Sequence, residues 1–422
     1  MATRKGIGNV HTHHLDLSCL PENLTKQQSG GIPEWVDTLT ILDLVLDKYQ
    51  KRFKNVMSGQ KDFSEVSGFH IQDMDRAKID YSVVLHIDLE GADPRAKDKN
   101  YQYEYVMDRI AQICALHPFR FFPFFGFDPR RPNVLRMLET NFRDRCYVGI
   151  KLYPALGFDP RPDKTSYSRD DGDYFEHEYH EYPEGGTIEG NEILENLRGM
   201  YAFASERKIP LMTHCSPNGS YRVTVDKKAK YENIWRYTNP SNFRDIAQTY
   251  ALRICFGHMG GKLDEEENRL KAVEWNGTIS NLIREANGWE NEGRLFADQS
   301  YDIINLINEK RRKEQLEVNV QMTKNYLNDM VLGRYVLFGS DWPLNIYKCT
   351  EKQYLDEYRK RLDDQQQKKY FSDNIARFLF GESGKIPQNY VNYVKERCKR
   401  ENRELVVPEW IEERNGEYFL AK

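Results

Sequence analysis

Phe121-Phe122-Pro123-Phe124-Phe125-Gly126-Phe127 carries no polar side chain at any of its positions. A run this short and this uniformly apolar has no face to offer to water. It reads as a strand buried on both sides, the pattern of a parallel sheet covered by helices. Seven further runs of the same kind follow from it in both directions: Ile7–Val10, Tyr81–Ile87, Val148–Tyr153, Pro210–Thr213, Arg253–Phe256, Leu295–Gln299 and Tyr335–Gly339. Between them lie segments with helical spacing, at Tyr101–His117, Pro132–Arg145, Glu192–Arg207, Asn242–Tyr250, Ile303–Glu314 and Lys324–Leu332. Eight strand–helix units predict a closed (β/α)8 barrel, with an open doubly wound sheet as the other arrangement.

The connections are uneven. About 70 residues separate the first and second runs and about 55 the fourth and fifth. Long segments also follow the fifth run, from Ser216, and the sixth, from Met259. All of these leave the C-terminal ends of strands, where barrel enzymes place their chemistry, so they read as a lid or a substrate pocket. The predicted barrel occupies residues 1–381. Residues 382–422 form an extension with a helix at Asn389–Arg400 and a tail carrying Trp410, which could clamp the barrel or a neighbouring subunit of a homo-oligomer.

Of the 422 residues, 61 are Lys or Arg and 65 Asp or Glu, a net charge of −4 that argues against a strongly basic nucleic-acid or anionic-membrane footprint but not against a localised basic patch. Charged residues make up 30%, yet 21 Phe, 26 Tyr and 6 Trp supply core material that disordered chains lack. No stretch approaches the ~20 apolar residues that span a bilayer. The N-terminus shows no apolar leader, and the seven cysteines include no Cys-x-x-Cys, so reduced thiols in a cytoplasmic protein are expected.

The chemistry-bearing residues sit where strands stop. His11-Thr12-His13 ends the first run. In an extended strand, i and i+2 face the same way, so two imidazoles can share one metal ion. His214 ends the fifth run, His258 the sixth and Asp341 the eighth. Each alone reads as a hydrogen-bonded strand end; four together, in these strands, read as a metal site. His86 and Asp88 end the second run, and Asp298 and Ser300 the seventh, as candidates for orienting roles. Arg130 and Arg131 after Asp128-Pro129 read as a surface turn, less readily as a contact for an anionic substrate.

These positions, together with Gly149-Ile-Lys-Leu-Tyr-Pro154, Phe256-Gly-His-Met-Gly-Gly261 and Phe338-Gly-Ser-Asp-Trp-Pro343, resemble the amidohydrolase superfamily and its amidohydrolase-2 branch over roughly residues 6–381. The resemblance implies one divalent ion, zinc or alternatively manganese, held by His11, His13, His214 and Asp341. It implies a water acidified by that ion, with Asp341 as proton acceptor and His258 orienting the water or stabilising an oxyanion. Lys151, on the fourth run, is open to three readings. It reads as a carbamylated bridge to a second metal, as a free ammonium that meets a substrate carboxylate, or as a structurally paired lysine.

The leading expectation is a metal-dependent hydrolase of a small, carboxylated ester, lactone or amide. The alternatives are a metal-dependent non-oxidative decarboxylase and a non-catalytic barrel used as a binding module. Two sequence matches are set aside. His177-Glu-Tyr-His180 has the wrong spacing for a zinc-protease helix, and Gly381-Glu-Ser-Gly-Lys385 lacks the first glycine of a phosphate loop and reads as a helix end.

Overall fold

The structure, a computed structural model, describes residues 5–14, 63–88, 103–162, 190–217, 237–261, 269–291, 293–303, 306–307 and 313–421. Much of the long segments after the first, fourth, fifth and sixth strands, together with His177 and His180, lies outside these residues.

The eight apolar runs are eight strands. They are β1 Gly8–Thr12, β2 Tyr81–Leu85, β3 Phe121–Phe127, β4 Gly149–Leu152, β5 Leu211–Thr213, β6 Arg253–Phe256, β7 Arg294–Asp298 and β8 Val336–Leu337. They pair in sequence order, each parallel to the next. The seam between β8 and β1 is closed just beyond the short eighth strand. Val10 N–H donates to Phe338 O (3.1 Å), Asp341 N–H to His11 O (2.9 Å) and His13 N–H to Trp342 O (2.6 Å). The sheet is thus a barrel and the open arrangement is excluded. The uniform apolarity of β3 has its reason here, since all seven of its residues are buried between barrel interior and helix shell.

The helices are α1 Phe63–Ala77, α2 Tyr103–Leu116, α3 Val134–Asp144, α4 Gly190–Glu206, α5 Arg244–Thr249, α6 Arg269–Asn287, α7 Lys313–Asn328, α8 Glu351–Arg359, α9 Asp364–Lys368, α10 Asn374–Phe380 and α11 Gln388–Arg400. The segment read as a helix at Ile303–Glu314 lies largely outside the described residues, at 304–305 and 308–312; Leu306 N–H and Ile307 N–H both bond the carbonyl of Ile303, and α7 starts at Lys313. Just before that segment, the Asp302 carboxylate accepts hydrogen bonds from the hydroxyls of Tyr354 (2.8 Å) and Tyr358 (2.6 Å) on α8.

The extension packs on the N-terminal end of its own barrel. The Tyr390 hydroxyl on α11 donates to Phe121 O (3.0 Å) and accepts from Phe119 N–H (2.8 Å). The Trp410 ring lies 5.2 Å from that of Tyr81, and a hairpin of β9 Ile411–Arg414 and β10 Glu417–Leu420 follows. Cys114, Cys146, Cys215, Cys255, Cys349 and Cys398 are buried and free, and Cys19 lies outside the described residues. Among the described residues no helix is long and apolar enough to cross a membrane.

Candidate active site

The C-terminal ends of β1 and β8 bring together His11, His13 and Asp341, whose donor atoms all lie within 4.8 Å of one another. Asp341 Oδ1 is 3.3 Å from His13 Nε2 and 3.7 Å from His11 Nε2. The closeness follows from the backbone at the seam, where Asp341 N–H bonds the carbonyl of His11 itself. Asp341 holds φ at 62°, a left-handed conformation that aspartate tolerates better than most residues and that turns its side chain inward at the strand end. Gly339 is required beside it, because a Cβ there would sit 2.8 Å from His11 Cβ and 3.0 Å from Ser300 Cβ.

The outer ring nitrogens decide what the inner ones can do. His13 Nδ1 lies 2.8 Å from the carbonyl oxygen of Leu85, which can only accept, so Nδ1 carries the hydrogen. His11 Nδ1 lies 3.0 Å from Asp298 Oδ2 and donates to it by the same logic. Both Nε2 atoms therefore present lone pairs towards the Asp341 carboxylate. His11 Nε2 is buried with no hydrogen-bond partner. Lone pairs gathered this closely repel unless a cation or proton lies among them, so two imidazoles and a carboxylate fit a divalent ion here. Imidazoles backed by a carboxylate and a carbonyl are the usual outer support of such a site.

Asp298 is the hub of that support. It accepts from His11 Nδ1, from His258 N–H (3.2 Å) and from Ser300 N–H (3.0 Å). Burial alone would push its carboxyl up; the charge and hydrogen bond of His11, with His258 and Ser300, outweigh this and hold it well below the usual carboxylate range. Asp341 is likewise held well below the usual carboxylate range against the effect of burial, by the imidazoles of His13, His11 and His258 around it. Asp298→Asn should lower divalent-metal affinity about 10- to 100-fold while leaving the melting temperature near wild type, checked by competition with a chelator.

His258 follows β6 with φ at 62°. Its ring is 4.7 Å from that of His11, and its Nδ1 lies 3.2 Å from Ser300 O, an acceptor only, so its Nε2 bears the lone pair. Burial and the neighbouring His11 push it down to about 4, so it is neutral near pH 7. His214 is not among the donors within that 4.8 Å cluster; its ring lies 4.9 Å from His258 and 4.5 Å from Tyr153. Lys151 on β4 is 1% exposed, its Nζ has no hydrogen-bond partner, and burial pushes it down to about 8. The neighbouring carboxylates Asp298 and Asp341 oppose that shift.

The expectation of a surface turn at Arg130 and Arg131 is overturned, since both are buried. Arg131 makes a two-pronged bond to Asp88 (2.6 and 2.8 Å) and lies 4.2 Å from the centre of the Tyr103 ring. Arg130 folds back on Asp128 and donates to Leu156 O (3.0 Å). Gly126-Phe-Asp-Pro-Arg130 recurs as Gly157-Phe-Asp-Pro-Arg161, and Arg161 folds back on Asp159 in the same way. The repeated pentapeptide was a signal for the arginine folding back on its aspartate, not for burial, since the Arg161 side chain is 43% exposed. His86, at the end of β2, has both ring nitrogens buried without partners and is pushed down to about 3 by burial.

A second group escaped sequence reasoning. Asn9 Nδ2 donates to Ser340 Oγ (2.7 Å) and Glu351 Oε1 (2.7 Å), while Asn9 Oδ1 accepts from Ser340 N–H. It pins β1 to the segment before Asp341. A buried polar residue two positions before His11 was its only trace in the sequence.

Residues 69–381 match the family model for amidohydrolases of the amidohydrolase-2 type. The chain belongs to the amidohydrolase family. The matched region holds His214, His258 and Asp341, while His11 and His13 precede it. None of the curated protein sequences matches this amidohydrolase. Among solved structures it is similar to a 5-carboxyvanillate decarboxylase from Novosphingobium aromaticivorans, in complex with manganese and 4-hydroxy-3-methoxy-5-nitrobenzoic acid. That likeness has 14% identity, 89% of this chain and 96% of that chain covered, and a TM-score of 0.50. It is also similar to a 2,6-dihydroxybenzoate decarboxylase from Rhizobium (14%, 89% and 99%, TM-score 0.48). A third is a probable 2-pyrone-4,6-dicarboxylic acid hydrolase from Acinetobacter baumannii with citric acid bound (11%, 89% and 99%, TM-score 0.48). At such identities the first likeness speaks for the fold, and the other two carry nothing further.

Proposed function

We propose that this chain is a metal-dependent enzyme that hydrolyses an ester, lactone or amide bond in a small carboxylated molecule. One observation carries the reading: the mutually facing donors of His11, His13 and Asp341, on the same strand-end face as the buried, unpartnered ammonium of Lys151. In this reading His11, His13 and Asp341 hold one divalent ion, zinc or manganese, and His214 is the candidate for a further ligand. Bound there, the ion supplies a Lewis acid that polarises a substrate oxygen and acidifies water.

The chain's own residues do the rest. Asp341, kept ionised by its surroundings, accepts the proton of the attacking water and returns it to the leaving group. Neutral His258, with its lone pair on Nε2, accepts a hydrogen bond from that water and aims it. Lys151 binds the substrate carboxylate, and an unpaired buried ammonium is costly enough that a bound anion would relieve it. Decarboxylation of a small aromatic acid is the second reading, because it needs the same donors and the same cation for the scissile carboxylate.

The test is a screen of metal-loaded protein against lactones and aromatic acids, with acid release and carbon dioxide release measured in parallel. Acid release without carbon dioxide is the expected result; carbon dioxide release from the acids would replace hydrolysis by decarboxylation. For the best substrate, KM should rise as pH increases through about 8, where Lys151 loses its proton, and Lys151→Met should raise KM at least tenfold at pH 7. An unchanged KM in Lys151→Met would remove the lysine from substrate binding.

A further inference from the structure

The opposite end of the barrel holds a cleft of about 1090 Å3. It opens between the starts of β4, β5, β6 and β7, marked by Val148, Pro210, Arg253 and Arg294, and the segment that follows α10. The extension covers the barrel end at β2 and β3, through Trp410 and Tyr390, and leaves this quadrant open.

The lining is basic in a chain whose net charge is −4. Arg143, Arg207, Lys208, Arg253, Arg294 and Arg377 line it, and Lys385 adds a seventh cation, against the two carboxylates of Glu139 and Glu382. Several of the outer cations have surface partners, as Arg143 has Asp144 and Lys385 has Glu417. Arg294, at the start of β7, does not. Its guanidinium donates to the carbonyls of Asn291 (2.8 Å) and Gly293 (2.6 Å), and no carboxylate among the described residues pairs with it. Carbonyls satisfy hydrogen bonds but leave the charge uncompensated. Arg253, at the start of β6, donates to the carbonyls of Phe378 (3.0 Å) and Lys208 (2.6 Å). Between the cations Phe142, Phe203 and Phe380 contribute aromatic lining, Phe296 itself being wholly buried, and the Arg207 guanidinium lies 4.1 Å from the centre of the Phe203 ring.

We propose that this cleft is a second binding site, for a small organic anion that carries several negative charges and a flat ring. The charges meet the guanidinium groups at the strand starts, and the ring lies on the aromatic wall, where stacking and guanidinium contacts both favour a flat π-system. The size suits a ligand of nucleotide or aromatic polycarboxylate dimensions. The proposal stands apart from the reading of the active site, which lies at the other end of every strand.

Titration calorimetry on the full chain tests it, with ATP and benzene-1,3,5-tricarboxylate as ringed polyanions and pyrophosphate as a ringless one. Binding of at least one ringed probe, tighter than pyrophosphate and weakening with salt, is expected, and the tighter of the two names the source. Arg207→Glu/Lys208→Glu, at exposed positions, and Arg294→Gln should each weaken it about tenfold or more at an unchanged melting temperature. His11→Ala/His13→Ala should leave it unaltered. Four results would overturn the proposal: no ringed probe binding at millimolar concentration, pyrophosphate binding as tightly, binding indifferent to the charge-reversed variant, or binding lost with the two histidines.

Discussion

Purified chain carrying His11→Ala/His13→Ala is expected to hold no stoichiometric metal, against about one divalent ion per wild-type chain, and to lose all measurable turnover. Two of the three facing donors vanish, and a lone carboxylate cannot hold a zinc or manganese ion against water. The barrel should survive. Both imidazoles are buried at the strand ends rather than in the apolar interior, and their removal also relieves the crowding of lone pairs around Asp341. Elemental analysis beside circular dichroism reads both halves of the expectation. Full metal occupancy in the double variant would refute the site. Two ions per wild-type chain would point to Lys151 as a carbamylated bridge.

The largest loss of stability is expected from Asp88→Ala. Asp88 and Arg131 are each 1% exposed and joined by two hydrogen bonds, with Tyr103 under the guanidinium. Removing the carboxylate takes the two-pronged anionic partner from a buried cation, at a cost of about 3–5 kcal/mol. The pair itself need not be stabilising by that amount, because its desolvation offsets most of its attraction. Asp88→Leu/Arg131→Met should therefore recover most of the loss. Urea unfolding of the three proteins separates these contributions, and a wild-type midpoint in Asp88→Ala would mean that Arg131 finds water or another anion.

Much of this was legible in the sequence, for a physical reason. A strand buried on both faces must be apolar at consecutive positions, a local property, so all eight strands could be read from residues within a few positions of one another. The candidate site residues were legible because they interrupt that apolarity at strand ends: His11, His13 and Asp341 come together as facing donors with His258 beside them, whereas His214, read as a fourth ligand, lies beside His258 and outside that close cluster. The recurrence of such residues in the right strands also carried the family, which the match over residues 69–381 bears out.

Contacts between residues far apart in the chain settled the rest. That His11 and Asp341 face each other depends on the seam between β1 and β8, closed across more than three hundred residues by backbone bonds and by Asn9, Ser340 and Glu351. That Arg130 and Arg131 are buried depends on carboxylates at positions 88 and 128 folding in with them. Two tyrosines of α8 meet Asp302, a pairing across some fifty residues that no local pattern announces. The tail could have clamped a neighbour; Tyr390 and Trp410 place it on its own barrel. In short, hydrophobic periodicity determined the architecture because burial acts on each segment separately. Tertiary structure alone decided which polar groups meet, because a buried charge or lone pair takes its partner from whatever the closed barrel brings within reach.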